Sequence, residues 1–395
     1  MRATPTSSCI AAIAVLLIAL SSTPGQDGQA GAAANAPECP EDAGGIVVPR
    51  GFCATVFADV PGNVRHIVAT PDSTLYANTW TGPYYPDAPP PGGFVVALKD
   101  QNGDGKADIT KRFGPSFAEG GRGGTGIGLY RNWIYAEHND AIVRYEMKPG
   151  DIVPSGNPET IVSGVPVDGE HPMHPFIVDN IGNLFMAVGS ATNSCQEVSR
   201  ARESPGLKPC TELETRAGIW RYDANKTGQV FSPKERYAAG LRNSEGLDFD
   251  EDGRMFATSH GRDQLHENWP GLYDSARGAE LPAEELVVLK ERGEYGWPHC
   301  YFDPNQGKLV LAPEYGGDGG RTVGLCGDRL PPVAAYPAHW APNDLKIYKA
   351  TVFPKPYRGG AFLAFHGSWN RAPGPQGGYN VIFQPLAEGR PQDLT

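Results

Sequence analysis

No stretch of this sequence is apolar for long enough to cross a bilayer. The longest run, CIAAIAVLLIAL from Cys9, has 12 residues, against the roughly 20 that a spanning helix needs. Arg2 precedes it and small residues follow, which is the pattern of a signal peptide, here over residues 1–30. Residues 31–44 then read as a flexible leader, so the pattern predicts export, to the periplasm or beyond, without stable membrane insertion. Long helical periodicity is missing too: only PAEELVVLKE and PKERYAAGL could make a turn or two of helix. There is no basic run, and 45 acidic against 34 basic residues give a formal charge of −11, which argues against nucleic acid as a partner. No C-x-x-C occurs. Once Cys9 leaves with the signal peptide, six cysteines remain, and an even number in an exported chain favours disulfides over metal or redox chemistry. Of the possible pairings, closeness in sequence favours Cys39 with Cys53, Cys195 with Cys210, and Cys300 with Cys326.

What the chain has in abundance is glycine and proline, 50 and 37 in 395 residues, both well above the usual shares of about 7% and 5%. That composition suits many short strands joined by turns. One such unit is GLRNSEGLDFDEDGRMFATSHGRD, from Gly240. GLDF is a short apolar run, DEDG supplies turn residues, and RMFATS returns with strand formers. The same plan recurs in HIVATPDSTLYANT, GIGLYRNWIYAEHN, PFIVDNIGNLFMAVGS and PYRGGAFLAFHGS. The first large apolar residues after the turns are Leu75, Ile134, Leu184, Met255 and Phe362, separated by 59, 50, 71 and 107 residues. A further strand follows each unit. Sheets of three or four strands repeating at such intervals predict an all-β fold, a β-propeller over residues 45–395, with a large β-sandwich as the alternative.

In a propeller the inner ends of equivalent hairpins converge on one mouth of the central channel. His66, Arg122, His171, Arg242 and Asn243 precede first strands, and Thr79, His138, Ser190, His260 and His366 follow return strands. Five of the nine histidines are therefore expected at one opening.

With these blocks in view, the chain resembles the soluble sugar dehydrogenases that use pyrroloquinoline quinone (PQQ), in particular the sorbosone dehydrogenase-like branch. The likeness runs from about Gly51 to the end. It is carried by GLRNSEGLDFDEDGRMFATSHGRD, YGWPHCYF, APNDLKIYKATVFPKPYRGGAFLAFHGSWNR and, less specifically, DQNGDGKAD. The resemblance implies a six-bladed propeller with PQQ and a calcium ion at the mouth, where a sugar loses a hydride to the quinone and a proton to a histidine. Five repeat units are visible here, so the last blade is expected to be incomplete, with GFCATVFADV as one possible edge of it. An anionic tricarboxylate calls for arginine and lysine, and a hard cation calls for oxygen ligands.

Carried over by position, the resemblance makes Arg242 and Asn243 the pair that grips PQQ and puts His260 where the family has glutamine. It makes Trp340 the stacking aromatic, Lys349 and Arg371 the carboxylate-binding cations, and Arg122 a stand-in for an expected glutamine. Gly261 and Arg262 would offer carbonyls to calcium. His171, in GEHPMHPF, would be the general base, with Glu170 and His174 as rivals because His174 stands where the family has arginine. Separately, DQNGDGKAD sets Asp100, Asn102, Asp104 and Asp108 at the alternating positions of a calcium loop, with Gly105 at its turn. Lys111 occupies the twelfth position, where such loops carry glutamate, and a plain turn is the alternative. The expected activity is PQQ- and calcium-dependent oxidation of an aldose or ketoaldose, with an unidentified electron acceptor. A calcium-dependent propeller lactonase or esterase, or a non-catalytic carbohydrate- or protein-binding propeller, are the competing readings.

Overall fold

The computed structural model describes Cys39 and residues 43–87 and 91–392; most of the expected signal peptide and leader lies outside these. Five antiparallel sheets follow one another along the chain as blades. Each is named here by its strands from the axis outward. The first comprises Val64–Ala69, Thr74–Thr79, Val95–Lys99 and Ile109–Phe113, and the second Ile127–Tyr130, Trp133–His138, Ala141–Glu146 and Glu159–Ser163. The third comprises Phe176–Val178, Asn183–Val188, Gly218–Asp223 and Arg236–Ala239. Leu247–Phe249, Met255–Ser259, Glu284–Val288 and Ala334–Tyr336 form the fourth, and Pro342–Ile347, Gly360–His366, Tyr379–Ala387 and Arg390–Pro391 the fifth. Two-residue strands, Gln229–Val230 and Gly293–Glu294, add parallel edges to the second and third blades. The fold is a β-propeller of the six-bladed type with five blades present among the described residues.

Strand alternation explains the stacking. Successive side chains point to opposite faces, so one strand serves two interfaces. In Asn183–Val188, Leu184, Met186 and Val188 pack toward the second blade with Tyr135, Ile161 and Trp220, while Phe185 and Ala187 pack toward the fourth with Leu247, Met255 and Ala257. Phe256, on the other face of Met255–Ser259, joins Leu345, Leu363 and Phe365 of the fifth blade. Each of the larger aliphatic, methionine and phenylalanine side chains among these contributes about 1.5–3 kcal/mol by leaving water.

Asp250 shapes the hairpin turn of the fourth blade. Its carboxylate accepts from the backbone N–H groups of Asp252 and Arg254, and Gly253 takes a φ of 79°. At the axis, a His66 Nε2 contact with the Asn343 carbonyl at 2.8 Å joins the inner strands of the first and fifth blades. Farther out the junction is open: Ile67, Tyr379 and Val381 are exposed.

Two expectations need correction here. The segment GFCATVFADV is irregular and forms no edge strand. It lies instead against the open face of the first blade, where Phe57, Ala58 and Val60 cover Ala77, Val96 and Leu98. Phe52 reaches the fifth blade, edge-on to Phe353 and Tyr357. Of the two stretches read as a turn or two of helix, PKERYAAGL opens with one 3-10 turn, Pro233–Glu235, before the strand Arg236–Ala239, whereas PAEELVVLKE is the strand Glu284–Val288, because its apolar residues are needed on both faces of a blade. The short helices lie elsewhere, at Leu265–Asn268 and Ser275–Glu280, the second capped by Asp274, which accepts from the Arg277 N–H. All three expected disulfides are present. Among the described residues no helix is long and apolar enough to cross a membrane.

Candidate active site

The hairpin ends meet at one mouth and enclose a cavity of about 600 Å³, within the range of small-molecule sites. It is lined by Arg65, Trp80, Tyr84 and Tyr85 from the first blade; Glu170, His171 and Arg200 from segments around the third; Arg242, Asn243, Glu245, His260 and Asp263 around the fourth; and Asn343, His366, Trp369 and Asn370 from the fifth.

The wall over the third and fourth blades is the more elaborate. Between their strands the chain inserts loops held by Cys195–Cys210 and Cys300–Cys326 and an extra hairpin, Cys300–Asp303 with Lys308–Leu311. Arg262 anchors this wall. Its buried guanidinium ion-pairs with the buried Glu314 and donates to Asn268 Oδ1 at 2.8 Å. Glu314 also accepts from Trp269 Nε1 at 2.8 Å.

Asp263 is the hub facing the cavity. Its Oδ2 accepts from Arg242 at 2.9 Å and Arg200 at 3.0 Å, and its Oδ1 from Asn370 at 3.0 Å. Burial alone would raise its pKa, but Arg242 and Arg200 outweigh that and hold the carboxyl well below the usual range. Arg242 also donates to Asn193 and to the Gly261 carbonyl, and Arg200 clasps Glu170 through two nitrogens. Glu284 lies beneath, its two oxygens accepting from the backbone N–H groups of Gly261 and Ala341. Burial pushes its pKa up to about 8 despite those donors.

His171 projects from the segment before the third blade. Its Nδ1 is 2.9 Å from the Ser190 carbonyl, which fixes Nδ1 as the donor and leaves Nε2 as the free acceptor. Burial, and then Arg242, keep its pKa well below the ordinary value, so the ring is neutral at pH 7. Gly189 makes room for it: a Cβ there would lie 2.4 Å from His171 Cβ and 2.7 Å from Asn243 Oδ1.

Of the residues expected at the site, His171, Arg242, Asn243, His260 and Gly261 are brought together around this cavity. Of the rivals for the base, Glu170 lines the cavity in the grip of Arg200. His174 is buried with both ring nitrogens engaged, by Glu137 Oε1 at 2.9 Å and the Pro166 carbonyl at 2.8 Å. Trp340 packs edge-on to Phe365 behind the wall, while Trp369 lines the opening at 62% exposure. Arg371 turns away to the Ala338 carbonyl and Glu280. Lys349 is exposed beyond the outer end of Pro342–Ile347, away from the mouth, and Arg122 is exposed on its loop. Asp100, Asn102, Asp104 and Asp108 form an exposed loop whose carboxylates accept from its own backbone N–H groups. Among the described residues no group of three or more His, Cys, Asp or Glu is placed to hold a metal.

Sequence reasoning missed Arg65, Arg200, Glu245, Asp263 and Trp369. Glu245 and Asp263 stand inside the motif that was singled out, and Trp369 inside GSWNR; Arg200 and Arg65 reach the mouth only through folding.

The sequence profile of the TrAA12-like family matches residues 122–394. The chain belongs to that family. The match takes in four of the five blades and all but the first-blade part of the cavity wall. A PQQ-dependent pyranose dehydrogenase of Coprinopsis cinerea is 28% identical over 159 residues, 37% of this chain and 21% of that protein. An uncharacterized protein of Borreliella burgdorferi is 30% identical over 143 residues, 35% of this chain and 32% of its own length. The chain thus spans about a third or less of the curated relatives it matches. In structure this TrAA12-like chain is similar to the Trichoderma reesei AA12 carbohydrate-active enzyme, with a TM-score of 0.67, 18% identity, and 86% and 82% of the two chains covered. The holo PQQ domain of the Coprinopsis cinerea pyranose dehydrogenase gives 0.64, 20% identity, and 88% and 81% covered. At these identities the structural likeness speaks for the fold.

Proposed function

We propose that this chain is an oxidoreductase that uses PQQ to oxidise an aldose or ketoaldose at a hydroxyl-bearing carbon. The observation that carries the reading is the pairing, in one cavity, of a neutral His171, whose Nε2 has no partner among the described residues, with two guanidinium groups, Arg242 and Arg200, that keep unused N–H donors. Each of the two leaves one Nη1 hydrogen free. Such forks fit a polycarboxylate, and Trp369 offers flat apolar surface for a ring. The PQQ-dependent relative supports the choice of cofactor.

When bound, the quinone supplies the two-electron acceptor. The chain's own contribution is to accept the hydroxyl proton at His171 Nε2, with Ser190 holding the tautomer, and to orient both partners in a partly desolvated cavity. Calcium fits less well. The Gly261 carbonyl already accepts from Arg242, so a cation on that oxygen would face a guanidinium, and Asp263 is engaged on both oxygens. No role is assigned to it.

The three disulfides suit an oxidising compartment, and we place the protein in the periplasm or outside the cell. Titration of the purified protein with PQQ, with and without calcium, followed by reduction of an artificial acceptor with an aldose, tests the proposal. His171→Asn should lower kcat by about 10²–10⁴-fold with PQQ binding retained. A folded protein that takes up no PQQ would overturn the cofactor assignment.

A further inference from the structure

Glu245 is 1% exposed and lines the cavity. Its Oε1 accepts from Asn243 Nδ2 at 3.2 Å, but its Oε2 is buried without a hydrogen-bond partner among the described residues. An orphaned carboxylate oxygen in such a place is costly. The nearest charge is Arg65 Nη2 at 3.9 Å, too far for a direct hydrogen bond. Arg65 is itself under-bonded: among the described residues its hydrogen bonds are the 3.3 Å contacts to Thr125 and Tyr85, and its guanidinium lies 5.6 Å from the centroid of the Tyr85 ring. A strong acceptor and a strong donor thus face each other across a gap at the floor of the mouth, on two residues that line the same cavity.

The chemistry that closes this gap is narrow. A cation at Glu245 would meet the Arg65 guanidinium, and a carboxylate at Arg65 would meet Glu245. A hydroxyl both donates and accepts, and one oxygen about 2.7–2.9 Å from each group spans the 3.9 Å separation. Trp80 and Tyr85 flank the pair with aromatic surface, their rings 5.8 Å apart, which suits the apolar face of a pyranose. Asn243, the partner of Glu245, also lies beside His171 across Gly189, so a polyol held at the pair is a short reach from the base.

We propose that Arg65 and Glu245 form a hydroxyl-recognition subsite that selects the sugar and sets its orientation, with Trp80 and Tyr85 as its aromatic side. The assignment rests on the reading of this mouth as a sugar-oxidising site. It is tested by measuring, separately, the binding of PQQ and the equilibrium binding of glucose, galactose and their monodeoxy derivatives by calorimetry, for the unaltered chain, Glu245→Gln and Arg65→Lys, with thermal melts to confirm folding. Glu245→Gln keeps the shape but puts a donor opposite a donor. The expected result is a 10- to 100-fold loss of affinity for the preferred sugar, the range of a charged hydrogen bond, a matching rise in KM with a smaller change in kcat, and PQQ affinity within about twofold. One deoxy sugar should bind the unaltered chain as weakly as the parent sugar binds Glu245→Gln.

If Glu245→Gln weakens PQQ binding as much as sugar binding, the pair belongs to the cofactor and the inference falls. It also falls if sugar affinity does not change, or if the unaltered chain binds no sugar. If the chain binds no PQQ yet loses sugar on Glu245→Gln, the redox reading fails and the subsite stands.

Discussion

The two sides of the mouth are built on opposite plans. Over the third and fourth blades, Arg242 has four hydrogen bonds between 2.9 and 3.1 Å, Arg200 has four between 2.7 and 3.0 Å, and Asp263 is engaged on both oxygens. Where the first blade faces the start of the fourth, Arg65 makes only long hydrogen bonds, and Glu245, from the segment before Leu247–Phe249, leaves one oxygen unpaired among the described residues. A polar group already bonded within the protein holds shape; one left short of partners has capacity that a ligand can fill. The crowded side therefore fixes geometry, and the sparse side is where affinity for an arriving molecule remains to be gained.

Breaking the crowded side should have the largest effect. Asp263→Ala leaves two guanidinium groups, one of them almost fully buried, facing each other without their shared carboxylate. Removing one partner from a buried charge cluster costs about 3–5 kcal/mol, so urea denaturation should show a loss of that order. Asp263→Asn, which keeps the contact with Asn370 but not the charge, should fall between. A loss below about 1 kcal/mol for Asp263→Ala would mean that the wall is held by the Arg262–Glu314 pair and the disulfides alone.

How much of this was legible beforehand divides along the same line. The blades were readable because their code is local: Leu184 and Phe185 differ by one position and so by one face, and Asp250 and Gly253 mark a turn by their own chemistry. Of the five histidines expected at the hairpin ends, His171, His260 and His366 reach the cavity, while His66 is engaged at the axis with the Asn343 carbonyl and His138 is buried against Tyr145. Arg200 was not readable, since it arrives on a disulfide-held loop whose path depends on contacts with Asp263 and Glu170, more than 25 residues away on either side. Position in a motif also proved weaker than geometry. Arg371 and Trp369 sit two residues apart in GSWNR, yet one turns into the wall and the other stands at the opening. Arg65 lies within a strand, and nothing in VRHIVA signals that its side chain ends opposite Glu245.

A smaller effect separates stability from the mouth. His138, at the end of Trp133–His138 in the second blade, is buried with Nε2 2.9 Å from the Tyr145 hydroxyl, and burial lowers its pKa from 6.5 to about 4. Below pH 6.5 the unfolded chain takes up a proton there that the folded chain refuses until about pH 4. Stability from this group is therefore complete above pH 6.5 and declines as pH falls through that window, by up to about 3 kcal/mol. His138→Gln should flatten this part of the stability profile, whatever it does to stability at pH 8, and should leave sugar and PQQ affinity unchanged. An unaltered acid slope would transfer the effect to the other buried histidines at the mouth.

The smallest expected effect sharpens the comparison at its rim. Trp369 is exposed and lines the opening, whereas Trp340 packs on Phe365 and against the backbone of Gly378. Trp369→Ala should leave the melting temperature almost unchanged, because an exposed ring has little burial to lose. It should weaken ligand binding by about 0.5–1.5 kcal/mol, the range of an aromatic contact. Trp340→Ala should do the reverse, lowering stability while sparing affinity, since its ring braces the fifth blade without facing the cavity. Were Trp340 the residue whose loss weakened PQQ binding, the stacking surface would lie behind the wall as drawn here, and the fifth blade would have to open for the cofactor to enter. Loss of affinity at Trp369 alone places that surface at the rim, opposite Trp80 and Tyr85, and makes the mouth aromatic on both sides of its charged floor.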